Sequence, residues 1–376
     1  MDKDQNDVNS QNGENTPKRL TKATQAIFLV TVCILSLVGA VGGLGVLGTL
    51  IILVTAAMNV LLLLEFGSSK PKLLLLLFIN ILPFAAAYLY TSSLTVSLVA
   101  LYGFVIALPI ALTVRMGLGR SASIALAATL AFVLVGASFA ITVANEYGAL
   151  NAETIGDYLD GLFEPAAQSL AELTYEKNGE DVPYFAPNMI EDLLYYTKTL
   201  LIGTIASMLI VLAYFATLAT RLLAGVFGVQ SMLPMGLRVS VKAIMGKDGP
   251  TVDISQETVQ WRIEIDGVTV GVYIAAYIAT VLLAPMDGRV TTAYIALQNL
   301  VLILSPGFLY CGLRDIVLGM RGKARVGAFS RALPILGIIM IFINPQVVMI
   351  LLCMLGVIVT IRENRARRHI TKNRKE

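Results

Sequence analysis

The stretch Gly45–Glu65, GVLGTLIILVTAAMNVLLLLE, decides what kind of molecule this is. It carries no charge before its last residue and no alternation of apolar and polar positions. At the helical rise it covers about 31 Å, the thickness of a bilayer's hydrocarbon core. In hydrocarbon the backbone must satisfy its own hydrogen bonds, which leaves helices and closed barrels. Barrel strands alternate and this run does not, so a membrane-spanning helix is predicted.

The same pattern recurs outward from it. Residues 27–41 form another apolar run, parted from the first by Gly42-Gly43-Leu44-Gly45. One helix over 27–65 would reach about 58 Å, nearly twice the core, so a tight turn is expected at the glycines. Further runs occupy 73–90, 93–114, 122–144, 196–220, 268–286 and 290–313. The last, 332–361, is interrupted by Asn344-Pro345 and reads as two short helices, 332–343 and 346–361. Proline lacks the backbone N–H and disfavours helix in the residue before it. Composition agrees: of 376 residues, 56% are hydrophobic and 14% charged, with mean hydropathy +0.76. A soluble domain carries about a quarter charged residues. The expected fold is an all-α integral membrane bundle of eight to ten transmembrane helices with a small cytoplasmic β-hairpin.

Orientation follows from the short loops, because basic loops resist translocation. Lys18, Arg19 and Lys22 precede the first run; Lys70 and Lys72 follow the second; Arg115 and Arg120 follow the fourth. Arg221, Arg238, Lys242 and Lys247 follow the sixth, Arg314, Arg321, Lys323, Arg325 and Arg331 the eighth, and the tail from Arg362 holds seven basic residues. The alternate loops are almost uncharged. All basic loops then lie on one side, with both termini cytoplasmic and an even number of crossings of the cell membrane.

Two loops are long. Residues 146–192 hold eleven acidic residues and one basic residue, Lys177, a net charge of −10 on the outer face. Within them Ile155, Tyr158, Leu159, Leu162 and Phe163 recur at helical spacing opposite Asp157, Asp160 and Glu164. Thr154 with Asp157 resembles a capping box. From Asn188 the helix is expected to continue unbroken into the run 196–220. The cytoplasmic loop 228–267 alternates over 237–243 and 259–266, with turn residues at 247–250 between, which predicts the β-hairpin and places Trp261 at the interface. The organisation is therefore a disordered cytoplasmic tail 1–25, a six-helix membrane module 26–227 with acidic outer loop 146–194, the cytoplasmic loop 228–267, a C-terminal membrane module 268–361 and a basic cytoplasmic tail 362–376.

Chemistry is sparse. The net charge of +3 gives no case for nucleic acid, and one histidine, His369, with three scattered cysteines offers neither metal spacing nor a nucleophile–base pair. No enzyme activity and no cofactor are expected. Gly43-Leu44-Gly45-Val46-Leu47-Gly48 fits GxGxxG but lies in a membrane hairpin, where close helix packing explains it better. Gly203 with Ser207 reads the same way. Polar side chains inside lipid are the better clues, since each is unfavourable unless paired. The candidates are Asn59, Asn80, Gln298 and Asn299, with Asn344 at the last break. Each can serve either as an interhelical bond or as a ligand contact. Arg314-Asp315 reads as a local interfacial charge pair.

The stretch Pro109–Gly117 (PIALTVRMG), the segment Tyr294–Asn299 (YIALQN), Gly312-Leu313 as a turn, and the closing Leu355-Gly356-Val357…Arg362 resemble the YybS-like family of bacterial membrane proteins, which has no assigned function. The first six segments are also similar to the substrate-binding S subunits of energy-coupling-factor vitamin transporters. That resemblance implies small-molecule binding or transport, with the ligand undefined. The alternative is a membrane scaffold or envelope-associated protein that binds protein partners; the lipid bilayer is a partner in both.

Overall fold

A computed structural model describes residues 19–42, 45–67, 69–177, 180–229, 233, 263–284, 290–322 and 345–373. The chain forms two compact units, Met1–Ala131 with Ala213–Arg262, and Phe132–Leu212 with Ile263–Glu376. It is nearly all helical. Among the described residues eight helices are long and apolar enough to cross a membrane, and Gly267–Leu282 is a shorter apolar one. This is a multi-pass membrane protein.

The first unit is built on α1 (Lys22–Gly42), α2 (Val46–Phe66), α3 (Lys70–Thr91), α4 (Leu94–Val99) and α5 (Tyr102–Arg115), with parts of α6 (Arg120–Tyr147) and of a later helix. Helix α2 is central: 56% of its apolar window is buried, against 22% for α3. Its Ile52, Ala56, Val60 and Leu62 are buried, while Leu74, Phe78 and Leu89 of α3 lie open, as a lipid-facing surface requires. Helix α5 crosses α2 where a side chain on Gly103 would strike Thr55. The apolar run 93–114 is split at Ala100 and Leu101 into α4 and α5. Helix α3 opens with Pro71 in its first turn and ends at Ser92, whose φ of 53° is left-handed.

The second unit contains α7 (Ala152–Ala171), a ribbon of β1 (Thr174–Lys177) and β2 (Glu180–Pro183), α8 (Pro187–Thr199), α9 (Leu201–Val226, in part), α10 (Gly267–Leu282), α11 (Thr292–Gly322) and α12 (Pro345–Asn373). Val270, Tyr273, Phe308, Cys353 and Val357 form its core. Helices α11 and α12 run parallel. The Ser305 carbonyl meets the Cys353 thiol, Gly356 lies against the Phe308 carbonyl, and Asp315 meets Arg362, so partners rise together along both helices. Helix α10 opposes them: the Ile265 carbonyl accepts from Asn364 Nδ2 at 3.1 Å, whereas Tyr273 sits at Ser305 and Phe308. The chain therefore leaves α11 at one end of the pair and enters α12 at the other.

Several expectations change. Residues 234–262 lie outside the described residues, so the hairpin expected over 228–267 has no support. The expected second strand ends in Ile263–Asp266, which is not strand but the lead-in to α10, with the Asp266 carboxylate accepting from Thr269 N at 2.8 Å as its N-cap. The described ribbon lies elsewhere, Thr174 opposite Pro183 and Lys177 opposite Glu180. Gly312-Leu313 is helical within α11 rather than a turn. The short helix 332–343 and Asn344 are outside the described residues.

Candidate functional site

Asn59 of α2 and Asn80 of α3 are fully buried and face each other. Asn59 Nδ2 donates to Asn80 Oδ1 at 3.1 Å, and Asn80 Nδ2 donates to Asn59 Oδ1 at 3.0 Å and to the Leu76 carbonyl at 2.9 Å. Two amides in hydrocarbon are unfavourable singly and compatible as a closed pair. The pair fastens α2 to α3 and fixes their register.

Gln298 and Asn299 are adjacent in sequence but do different things. Gln298 Nε2 donates to the Tyr294 hydroxyl at 2.6 Å, one turn back on its own helix. Asn299 reaches another element. Its Oδ1 accepts from Gly203 N at 2.6 Å, and its Nδ2 donates to the Thr199 carbonyl at 2.9 Å and the Ile295 carbonyl at 2.9 Å.

Residues 199 and 203 are four apart, so in an unbroken helix Gly203 N–H would bond the Thr199 carbonyl directly. The Asn299 carboxamide is inserted into that rung and completes it from outside. A side chain entering the ladder is a recognised cause of helix interruption. The continuous helix expected from Asn188 is accordingly broken at Leu200, between α8 and α9. Thr204 N resumes the ladder on the Leu200 carbonyl at 2.9 Å. Glycine at 203 is required by the approach: a Cβ there would stand 2.6 Å from Asn299 Oδ1 and 2.9 Å from Asn299 Cα. The Gly203–Ser207 packing motif thus resolves into a glycine that admits an asparagine.

The acidic segment 146–192 is joined to this break through α7 and α8. Helix α7 is capped by Asn151, whose Oδ1 accepts from Thr154 N at 2.9 Å while Thr154 Oγ1 accepts from Asn151 N at 3.1 Å. The capping box is therefore Asn151 with Thr154, not Thr154 with Asp157, because the helix starts one turn earlier than its apolar spacing. Tyr158 packs edge-on against Phe139 at 5.4 Å and Tyr147 at 6.5 Å, on the end of α6. Burial, then Glu146 and Tyr147, push its hydroxyl above the ordinary tyrosine range. Lys198, at the end of α8, pairs with Asp160 of α7. With Asp160 67% exposed, that pair contributes at most about 1 kcal/mol. Leu150, Leu162, Tyr184 and Met189 remain exposed over the module.

The arginines at helix ends make specific contacts. Arg115 donates to the Leu63 carbonyl and, at 3.3 Å, to the Leu64 carbonyl, closing the last turn of α2. Arg120, only 4% exposed, donates through Nη2 to Thr217 Oγ1 at 3.1 Å and lies 4.7 Å from the Tyr214 ring. Their positions are visible in the sequence; their partners, 97 residues away for Arg120, are not. Arg314 and Asp315 do not pair locally. Arg314 Nη2 binds Glu363 and Asp315 binds Arg362 Nη2 at 2.9 Å, both across to α12. Residues adjacent on a helix point about 100° apart, so each reaches its neighbour helix instead.

Among the described residues there is no group of three or more His, Cys, Asp or Glu able to hold a metal ion. Comparison of the chain with protein-family models, with curated proteins and with solved structures finds no match.

Proposed function

We propose that this multi-pass membrane protein acts by binding a protein partner through its acidic outer module, in the manner of a membrane scaffold or envelope organiser without catalytic activity. The observation that carries the reading is how the intramembrane amides are used. Asn59, Asn80, Gln298 and Asn299 each bond to protein, which removes the main argument for a ligand site inside the bundle. The outer module, by contrast, is capped, clamped by Tyr158 and Asp160, and presents exposed apolar side chains amid a net charge of −10 over 146–192. Such a surface favours a partner with basic residues around an apolar contact.

A photo-crosslinking residue at Leu162 or Tyr184 in living cells should capture one reproducible protein. Capture should fade when Asp157, Glu164 and Glu172 are made neutral together. Absence of any adduct above that at a lipid-facing control position refutes the proposal.

A second reading keeps the similarity to the S subunits of vitamin transporters, with uptake of a small molecule. What favours it is the placement of α7 across the ends of α6 and α8, as a lid would lie, beside an interrupted helix of the kind that lines transporter sites. Melting of the purified protein against vitamins and nucleobases decides it: a saturable rise in Tm supports uptake, and none at high ligand concentration refutes it.

A further inference from the structure

Among the described residues the ribbon of β1 and β2 is a sheet of two strands, so each strand is an edge. Its register decides which backbone groups are already engaged. Tyr184 N donates to the Leu173 carbonyl at 2.7 Å, and Thr174 stands opposite Pro183. Bonded and unbonded pairs alternate along an antiparallel ladder. Thr174 with Pro183, and Glu176 with Asp181, are therefore unbonded pairs, whose backbone polar groups turn outward from the ribbon.

The two edges are not equivalent. Pro183 has no N–H, which blunts the β2 edge as proline does on protected edge strands. The β1 edge keeps two donors and two acceptors, on Thr174 and Glu176, at the two-residue spacing that another strand requires. A two-stranded ribbon alone is marginal in water, and a third strand is one way to stabilise it. Leu173, Thr174, Pro183 and Tyr184 are exposed at the open end of the ribbon, and Leu173 and Tyr184 offer apolar contact there. Charge selects the occupant. Residues 172–183 hold four acidic residues and one basic residue, Lys177. A second copy would bring like charge against like, whereas a strand bearing Lys or Arg is complementary.

We infer that β1 takes up an extended, basic segment of the protein partner as a third strand, with main-chain hydrogen bonds at Thr174 and Glu176 giving affinity and the basic side chains giving selectivity. The inference rests on the outer module being the partner-binding face. Full-length protein in neutral detergent is titrated with a short synthetic peptide of alternating valine and lysine, and amide hydrogen exchange is read at single residues. Exchange should slow at Thr174 and Glu176 but not at Asp181, on the opposite edge. The same peptide N-methylated throughout should give no slowing, and a valine–glutamate peptide should bind at least about tenfold more weakly. E176P removes one outward donor and should weaken the peptide about three- to tenfold, the worth of one hydrogen bond. D181P removes the same charge and the same kind of donor from the other edge and should leave binding unchanged. The methylated peptide keeps the test open should E176P disrupt the ribbon. In cells the adduct at Leu162 should fade in E176P and persist in D181P. No slowing at Thr174 and Glu176 with an adduct that persists in both variants overturns strand addition and leaves the partner-binding reading standing. Absence of any adduct in the native sequence refutes that reading and this inference with it. Slowing at Thr174 and Glu176 on raising protein concentration without peptide would assign the edge to a second copy and overturn the proposal.

Discussion

Replacing Asn299 by alanine removes the group that completes the ladder between Thr199 and Gly203. Three hydrogen bonds of 2.6, 2.9 and 2.9 Å disappear together. If the break persists, Gly203 N–H and the Thr199 carbonyl are left unpaired, at about 1–3 kcal/mol each. If the rung closes on itself, one backbone bond is recovered and α8 joins α9 as a single helix. Polar side-chain bonds inside membrane proteins average about 0.6 kcal/mol and reach about 1.7. A net loss of about 1–3 kcal/mol is therefore expected, closer to the lower figure if the rung closes. Equilibrium unfolding in mixed detergent measures the loss, and amide hydrogen exchange at Gly203 separates the two outcomes: protection rises if the rung closes and falls if it stays open. Gly203→Ala supplies the control. Its Cβ meets not only Asn299 Oδ1 but Asn299 Cα at 2.9 Å and carbonyl O at 3.0 Å, so truncating the asparagine does not relieve it. The double variant should retain most of the G203A penalty. Unchanged stability and unchanged Gly203 exchange in N299A would refute the ladder-insertion account.

Other consequences follow from the same structure. Asn59→Leu and Asn80→Leu each strand a buried amide and should each destabilise more than the double variant, which strands none; unfolding in detergent checks the ordering. Gly356→Leu drives a side chain into the Phe308 backbone and should disrupt the α11–α12 pair, read as loss of a disulfide-trapped contact between Cys353 and a cysteine placed at 305, while G271L, facing open space, should not. The Asp266 carboxyl is held below the ordinary carboxylate value of 3.8, chiefly by its hydrogen bonds from Thr269, so its contribution is present above that value and is lost as pH falls through the depressed one. D266N, which still caps, should flatten the acid limb of stability against pH without altering the neutral plateau. Cysteines at 160 and 180 should react with an impermeant thiol reagent on intact cells, and those at 242 and 323 should not. Because α11 and α12 are parallel, positions 291 and 345 should label alike; opposite labelling would exclude that packing.

Much of this molecule is written in one dimension. Spans such as Gly45–Glu65 are fixed by hydropathy and length, because hydrocarbon admits no unpaired backbone, and that rule needs no knowledge of neighbours. The start of α2 fell at Gly45, within the glycine run where the turn was expected. The amphipathic α7 was legible from spacing, although its cap was not, since Asn151 and Thr154 precede the apolar repeat.

The candidate amides were likewise conspicuous as polar residues in apolar runs, but their roles were not. Whether Asn59 meets Asn80 or a ligand depends on which faces of α2 and α3 meet, and Gln298 and Asn299 diverge because successive residues point different ways round a helix. The break at Leu200 shows the division most clearly. Nothing in Pro187–Val226 interrupts a helix at that point; the cause is a side chain 96 residues from Gly203, brought there only by folding. Parallel packing of α11 on α12 and the crossing ion pairs of Arg314 and Asp315 are of the same kind. Length, hydropathy and charge act along the chain and survive in the sequence, whereas hydrogen-bond partnership is a property of distance in space, which tertiary packing alone decides.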